Sequence, residues 1–189
     1  MNILICGDSF AADYSAAGVL EDPGWPQLLA QHHIITNLAQ AGCSEYKIYL
    51  QTQKIQLPNF DRVVIFHTSP YRIYVKDHPY LKNAQLHHSS DLIYNDIENQ
   101  PPFDDQKLLV TFFKKYFDLE HAEFVHQLIY EKIVAIMSGV PTFHAGINLP
   151  NLTLDIGSIF KKHRGDANHF NRLGNQTVAQ NILDWINCA

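Results

Sequence analysis

The chain has 189 residues, of which 46% are apolar and 12% are aromatic. This composition is sufficient for a buried core and excludes wholesale disorder, and the length fits one domain. Fourteen Lys and Arg residues against 19 Asp and Glu residues give a formal net charge of −5. We therefore expect neither nucleic acid nor a membrane as a partner, because both attract basic surfaces.

The amino-terminal half predicts short strands that alternate with helices. Strands are predicted at 2–6, 34–38 and 62–66, and helices at 25–31 and 44–55, the second capped by Ser44. Each strand is a short apolar run; the first is followed by Gly7, and the second ends in Asn37-Leu38.

Residues 71–105 have no clear period and contain Pro79, Pro101 and Pro102. An irregular segment of this length is typical of a functional loop or lid. A loosely ordered insertion explains the same pattern, and the sequence does not decide between the two.

The carboxyl-terminal half returns to a helical pattern. One helix ends at Gly139, and its apolar residues recur at the spacing of one helix face: Val125, Leu128, Ile129, Ile133 and Ile136. A fourth strand follows at 140–143, and the last helix begins near Asn171. This order of strands and helices predicts a parallel sheet covered by helices on both faces.

The cysteines and histidines indicate neither a disulfide framework nor a metal site. Three cysteines, Cys6, Cys43 and Cys188, are an odd number without a Cys-x-x-Cys pair. Eleven histidines are present, but none is spaced as His-x-x-x-His. We expect most of them at the surface or at an interface, and Cys43 in the core. The amino terminus lacks the features of a signal peptide, so we expect a cytoplasmic protein.

Polar residues lie just after the predicted strands. Ligands of a parallel sheet bind at this place, outside the carboxyl ends of the strands. Gly7-Asp8-Ser9-Phe10 ends the first strand, and Asp166 and His169 precede the last helix. A serine becomes a nucleophile when a histidine takes its proton and a carboxylate orients that histidine. Singly, these residues have structural explanations, namely a turn serine, an Asx turn and a surface histidine. Jointly, at this spacing, they favour catalysis.

These segments resemble the sequence blocks of the GDSL/SGNH hydrolases. Gly7-Asp8-Ser9-Phe10 resembles the first block, Asn37-x-Ala39-x-x-Gly42 the second and Asp166-x-x-His169 the last, with Trp25-Pro26 at the place of a frequent Trp-Pro segment. The blocks occur in the family's order and span nearly the whole chain. The Gly-x-Ser-x-Gly pattern of ordinary α/β-hydrolases is absent, because Ala11 stands where the second glycine is expected.

The resemblance implies a single domain of three α/β/α layers around a mainly parallel, flavodoxin-like sheet. It implies Ser9 as the nucleophile, His169 as the general base and Asp166 as its orienting carboxylate. The backbone N–H groups of Ser9 and Gly42 would bind the oxyanion, with Asn37 in the same block. It implies no cofactor and no metal.

One block of the family is missing. Its third block, Gly-x-Asn-Asp, supplies an oxyanion amide, and here the third strand is followed instead by His67-Thr68-Ser69. Ser69 lies at the expected position of the amide, and the hydroxyl of Thr68 or the ring of His67 could also donate. Arg72 either binds an anionic group of the substrate or pairs with a surface carboxylate, and the second is favoured.

The leading hypothesis is a serine ester hydrolase acting on a small acyl ester, with a carbohydrate ester as one possible substrate. An acyltransferase would use the same acyl-enzyme. The missing amide motivates another hypothesis, a non-catalytic binding protein of this fold. The histidine content motivates a metal-dependent hydrolase. The sequence does not indicate an oligomeric state.

Overall fold

The computed structural model describes residues 1–13, 22–79, 90–165 and 169–188. Within these ranges one sheet contains the strands β1 (Asn2–Gly7), β2 (Ile34–Asn37), β3 (Arg62–Phe66), β4 (Thr142–Gly146) and β5 (Leu154–Asp155). All neighbouring strands are parallel, in the order β2-β1-β3-β4-β5. This is the doubly wound, flavodoxin-like order.

Helices cover both faces of this sheet. They are α1 (Trp25–Ala30), α2 (Glu45–Thr52), α3 (Tyr94–Glu98), α4 (Gln106–Lys115), α5 (Leu119–Met137), α6 (Gly157–Lys162) and α7 (Arg172–Cys188), with a 3₁₀ turn at Leu57–Asn59. No helix of the described residues is long and apolar enough to cross a membrane.

Alternation along the strands produces two apolar cores, because successive strand residues point to opposite faces. Ile3 and Ile5 of β1 lie in one core with side chains of α1 and α7. Leu4 and Cys6 lie in the other with side chains of α2 and α5. The predicted three-layer α/β/α fold is therefore confirmed.

The structure corrects the sequence-based boundaries at several places. Within 71–105, predicted to be irregular, Ile73 and Leu92 form an antiparallel bridge and α3 follows, whereas residues 80–89 lie outside the described residues. The fourth strand begins at Thr142 rather than at 140. Ser44 precedes α2, but its side chain makes no capping hydrogen bond.

Candidate active site

The carboxyl ends of β1, β3 and β4 surround a cleft of about 970 Å³. Six of the predicted site residues line it: Ser9, Gly42, Thr68, Ser69, Arg72 and His169. Asn37 does not line the cleft. Its amide nitrogen donates to the Ala11 carbonyl over 2.8 Å, and its side-chain oxygen accepts from the Ala39 N–H over 2.9 Å. Asn37 therefore joins the loops that follow β1 and β2.

Ser9 lies in a tight turn at the end of β1. The N–H groups of Ala11 and Ala12 both donate to the Asp8 carbonyl, and Asp8 Oδ1 accepts from the Phe10 N–H over 2.9 Å. Gly7, the last residue of β1, must be glycine, because a Cβ at this position would lie 2.8 Å from the Cβ of Phe66. The turn thus places Ser9 at the carboxyl end of β1, and close packing against Phe66 fixes the residue from which the turn starts.

Aromatic side chains connect this turn to the segment that carries His169. Trp25 stacks on Phe66 with ring centroids 4.7 Å apart, and its indole N–H donates to the Phe10 carbonyl over 2.8 Å. The Phe10 ring lies 5.6 Å from the His169 ring and 5.0 Å from Phe170, measured between centroids. Ring packing therefore brings two remote parts of the sequence to one wall of the cleft.

His169 lies on the returning arm of a loop before α7. The loop is closed by an antiparallel bridge between Arg164 and Phe170 and by the Gly165 N–H, which donates to the His169 carbonyl over 2.7 Å. Asn171 Oδ1 then accepts the Gly174 N–H over 3.0 Å in the first turn of α7. Asp166 lies outside the described residues, so its role stays a prediction.

Two backbone N–H groups in the cleft are available to a ligand. Among the described residues neither Ser9 nor Gly42 donates its backbone N–H to a protein acceptor. The Gly42 carbonyl is held by the Asp91 N–H at 2.9 Å and by Arg72 Nη1 at 3.2 Å. Gly42 has φ +71°, and a Cβ there would collide with the Ser90 side chain. Glycine at this position thus allows both the backbone conformation and the close packing.

The turn after β3 contains three candidates for the missing oxyanion amide. Both ring nitrogens of His67 are engaged, Nδ1 at 2.5 Å from Glu45 Oε1 and Nε2 at 2.9 Å from His144 Nδ1. The Thr68 hydroxyl interacts with the buried Asp8 carboxyl. Ser69 is half-buried in the cleft, and its hydroxyl has no partner within the described ranges. Of the three, Ser69 has the donor that is free to reach a ligand.

A buried polar cluster centred on Glu45 lies beside this turn, and the sequence analysis did not detect it. Glu45 begins α2 and is 2% exposed, and its Oε2 accepts the Thr68 N–H over 3.2 Å. His126 Nε2 lies 2.8 Å from the Thr68 carbonyl and 3.5 Å from Glu45 Oε2. His67 and His126 are buried, so neither belongs to the surface or interface histidines that were expected to be the majority.

The cluster sets the charge of its own members. Burial raises the pKa of Glu45, but His67 and His126 outweigh burial and bring it down to about 2. Burial lowers the pKa of His126, but its contacts with Glu45 raise it above the ordinary value. Burial and the neighbouring His67 lower the pKa of His144 to about 4. At neutral pH Glu45 is therefore an anion and His144 is neutral.

Arg72 and Cys43 flank Gly42 in different ways. Among the described residues Arg72 forms no ion pair with a surface carboxylate, contrary to the favoured expectation, and donates to the Gly42 carbonyl instead. Cys43 is buried, as predicted, with Sγ 3.3 Å from the Gly7 carbonyl, and burial raises its thiol pKa well above the usual range.

Within the described ranges no cluster of His, Cys, Asp and Glu is arranged to hold a metal ion.

No family model matches the chain, and no curated protein matches it. Solved structures with a similar chain trace include the acetyl xylan esterase AlAXEase, at 16% identity and TM-score 0.44, over 98% of this chain and 100% of that one. A second is a putative lipolytic protein of the G-D-S-L family from Desulfitobacterium hafniense DCB-2, at 13% identity and TM-score 0.39, over 96% of this chain and 97% of that one. A third is a catalytic mutant of Axe2, an acetylxylan esterase from Geobacillus stearothermophilus, at 9% identity and TM-score 0.43, over 97% of this chain and 92% of that one. At identities and TM-scores this low, the similarity does not show what this protein does.

Proposed function

We propose that this protein is a serine ester hydrolase that acts through an acyl-enzyme on Ser9. One observation carries the proposal. Ser9, His169 and the unengaged N–H of Gly42 come from three remote parts of the sequence and line one cleft at the carboxyl edge of the sheet. A nucleophile, a base and oxyanion donors in one cleft are the parts that acyl transfer requires.

Acylation begins when His169 accepts the proton of the Ser9 hydroxyl. Ser9 Oγ forms a bond to the ester carbonyl carbon, and the carbonyl oxygen becomes an oxyanion. The N–H groups of Ser9 and Gly42 and the Ser69 hydroxyl donate to that oxygen. Loss of one such donor typically lowers the rate on the order of 10²–10³-fold.

The intermediate collapses when the bond to the alcohol oxygen breaks and His169 returns the proton to that oxygen. A water molecule, deprotonated by His169, then attacks the acyl carbon on Ser9. The bond between that carbon and Ser9 Oγ breaks, His169 returns the proton to Ser9 Oγ, and the carboxylic acid is released. Asp166 orients the imidazole throughout. If an alcohol of another molecule took the place of water, the same residues would perform acyl transfer.

The substrate that we propose is a small acyl ester, with a carbohydrate as the alcohol. The cleft combines the exposed ring of Tyr71 and the ring of Phe160 with polar groups such as Asn148. Sugars present an apolar ring face together with hydroxyls, so such mixed lining suits them. The positioning of a few polar groups among apolar ones is also typical of small-molecule sites.

Fluorophosphonate labelling followed by mass spectrometry of the modified peptide tests the nucleophile without a guess about the substrate. We expect one adduct, on Ser9, and its loss in Ser9→Ala and in His169→Ala. Ser138→Ala is the matched control, because Ser138 is exposed at the end of α5. Folded wild-type protein that neither labels nor hydrolyses p-nitrophenyl acetate would refute the proposal and favour a non-catalytic binding protein.

A further inference from the structure

The Glu45 cluster takes no part in the proton transfers proposed for Ser9 and His169, yet it lies against the same cleft. His67 and His126 line the cleft, and Glu45 joins them from behind. Removing a carboxylate from water costs several kcal/mol even after relaxation of the surroundings. Apolar side chains of similar volume would usually stabilise such a position as well or better. A buried carboxylate that is kept at this point therefore suggests a role other than stability.

The contacts of the cluster converge on Thr68. Glu45 Oε2 accepts the Thr68 N–H over 3.2 Å, and His126 Nε2 donates to the Thr68 carbonyl over 2.8 Å. The side chain of the same residue interacts with the Asp8 carboxyl. Thr68 is thus held through its N–H, its carbonyl and its side chain, and its backbone can hardly shift while these three contacts persist.

Thr68 in turn adjoins both sides of the proposed oxyanion site. The Asp8 carboxyl that it contacts also accepts the Phe10 N–H, so this carboxyl braces the turn on either side of Ser9. On the other side Thr68 is bonded in sequence to Ser69, whose hydroxyl is the remaining donor. A displacement of Thr68 would therefore move the Ser9 N–H and the Ser69 hydroxyl relative to each other.

We propose that Glu45 is a positioning residue of the acyl-transfer site: acting through Thr68, it sets the separation of the Ser9 N–H and the Ser69 hydroxyl and so supports the oxyanion site in place of the missing amide. His126 completes the support from the carbonyl side of Thr68. The inference rests on the proposed function and extends it to residues that do not touch the substrate.

Two isosteric variants and their combination test this role. Glu45→Gln removes the charge, and Thr68→Val removes the hydroxyl that reaches Asp8. We expect each to lower kcat for p-nitrophenyl acetate on the order of 10–100-fold, with KM changed less than about twofold, because a displaced oxyanion donor weakens the transition state rather than substrate binding. The double variant should lose about as much as one single variant, because both substitutions act through the position of Thr68.

A stability control and a rescue separate positioning from general weakening. Ile133→Val trims a buried side chain of α5 in the core next to the cluster, and should lower stability by about 1 kcal/mol while kcat stays unchanged. His126→Gln keeps a donor for the Thr68 carbonyl and should retain most of kcat, whereas His126→Leu removes the donor and should not. This pair also serves if Glu45→Gln does not fold.

The outcomes distinguish this inference from the proposed function. If wild-type protein labels on Ser9 but Glu45→Gln and Thr68→Val keep full kcat, Glu45 is not a positioning residue. Additive losses in the double variant, or equal kcat in His126→Gln and His126→Leu, would refute it as well. If Ser9 itself is not labelled in wild type, the proposed function fails before the role of Glu45 is reached.

Discussion

The substitution Asp8→Asn should stabilise the protein at alkaline pH and have little effect at acidic pH. Asp8 is 4% exposed beside Ser9, and burial raises its pKa from 3.8 to about 6, against the opposing influence of the Phe10 N–H and Arg72. A pKa raised by folding contributes stability that is complete below pH 3.8 and is lost as the pH rises through about 6. At pH 8 the folded protein therefore bears the cost of a buried anion.

The magnitude follows from the two pKa values of Asp8. They differ by about two units, each equivalent to about 1.4 kcal/mol, so the cost approaches about 3 kcal/mol at pH 8 and is below about 1 kcal/mol at pH 4. Asparagine removes the charge, keeps an oxygen for the Phe10 N–H and offers its amide to the Thr68 hydroxyl. We expect Asp8→Asn to gain roughly 1–3 kcal/mol at pH 8, because rearrangement absorbs part of the benefit.

Urea unfolding at pH 4 and pH 8, followed by fluorescence, measures this difference. Asp104→Asn, at an exposed position, is the control and should change stability by less than about 0.5 kcal/mol at either pH. The reasoning is refuted if Asp8→Asn is destabilised at pH 8, or if its effect is the same at both pH values.

Three further predictions concern the cluster, the oxyanion glycine and the core. The pKa of His144 is lowered from 6.5 to about 4, so the stability that it contributes is present above pH 6.5 and declines by roughly 3 kcal/mol towards pH 4. Urea unfolding of His144→Asn should show a smaller decline. Gly42→Ala should lower stability by about 1–3 kcal/mol and slow fluorophosphonate labelling, and a Ser90→Gly background should relieve the clash but not the strain of φ +71°. Ile182→Ala, in a fully buried position of α7, should cost about 2–5 kcal/mol in thermal or urea unfolding, whereas Ile34→Ala, at 70% exposure, should cost less than about 1 kcal/mol.

Much of the fold follows from local patterns in the sequence. Short apolar runs predict β1 and β3, because a strand buried on both faces has few polar positions. The helical spacing predicts α5 and the packing of Ile129, Ile133 and Ile136 in the core, but Val125 and Leu128, which share that spacing, are exposed. Elements with few residues escape this reasoning. β5 has two residues, which is too short for any period.

The candidate site divides in the same way. Ser9 and His169 were predicted from the sequence, because residues that follow strands of a parallel sheet share one edge, and the structure places both in one cleft. A glutamate in the first turn of α2, at that same edge, was the signal that could have indicated Glu45.

Only the tertiary structure decided which polar side chains meet. Glu45 of α2 contacts His67, which follows β3, and His126 of α5. Local periodicity reports which face of an element is buried, but it contains no information on which neighbour lies opposite. Whether His126 is a surface residue or a buried partner of a carboxylate therefore depended on the packing of α5 against α2, which no local pattern specifies.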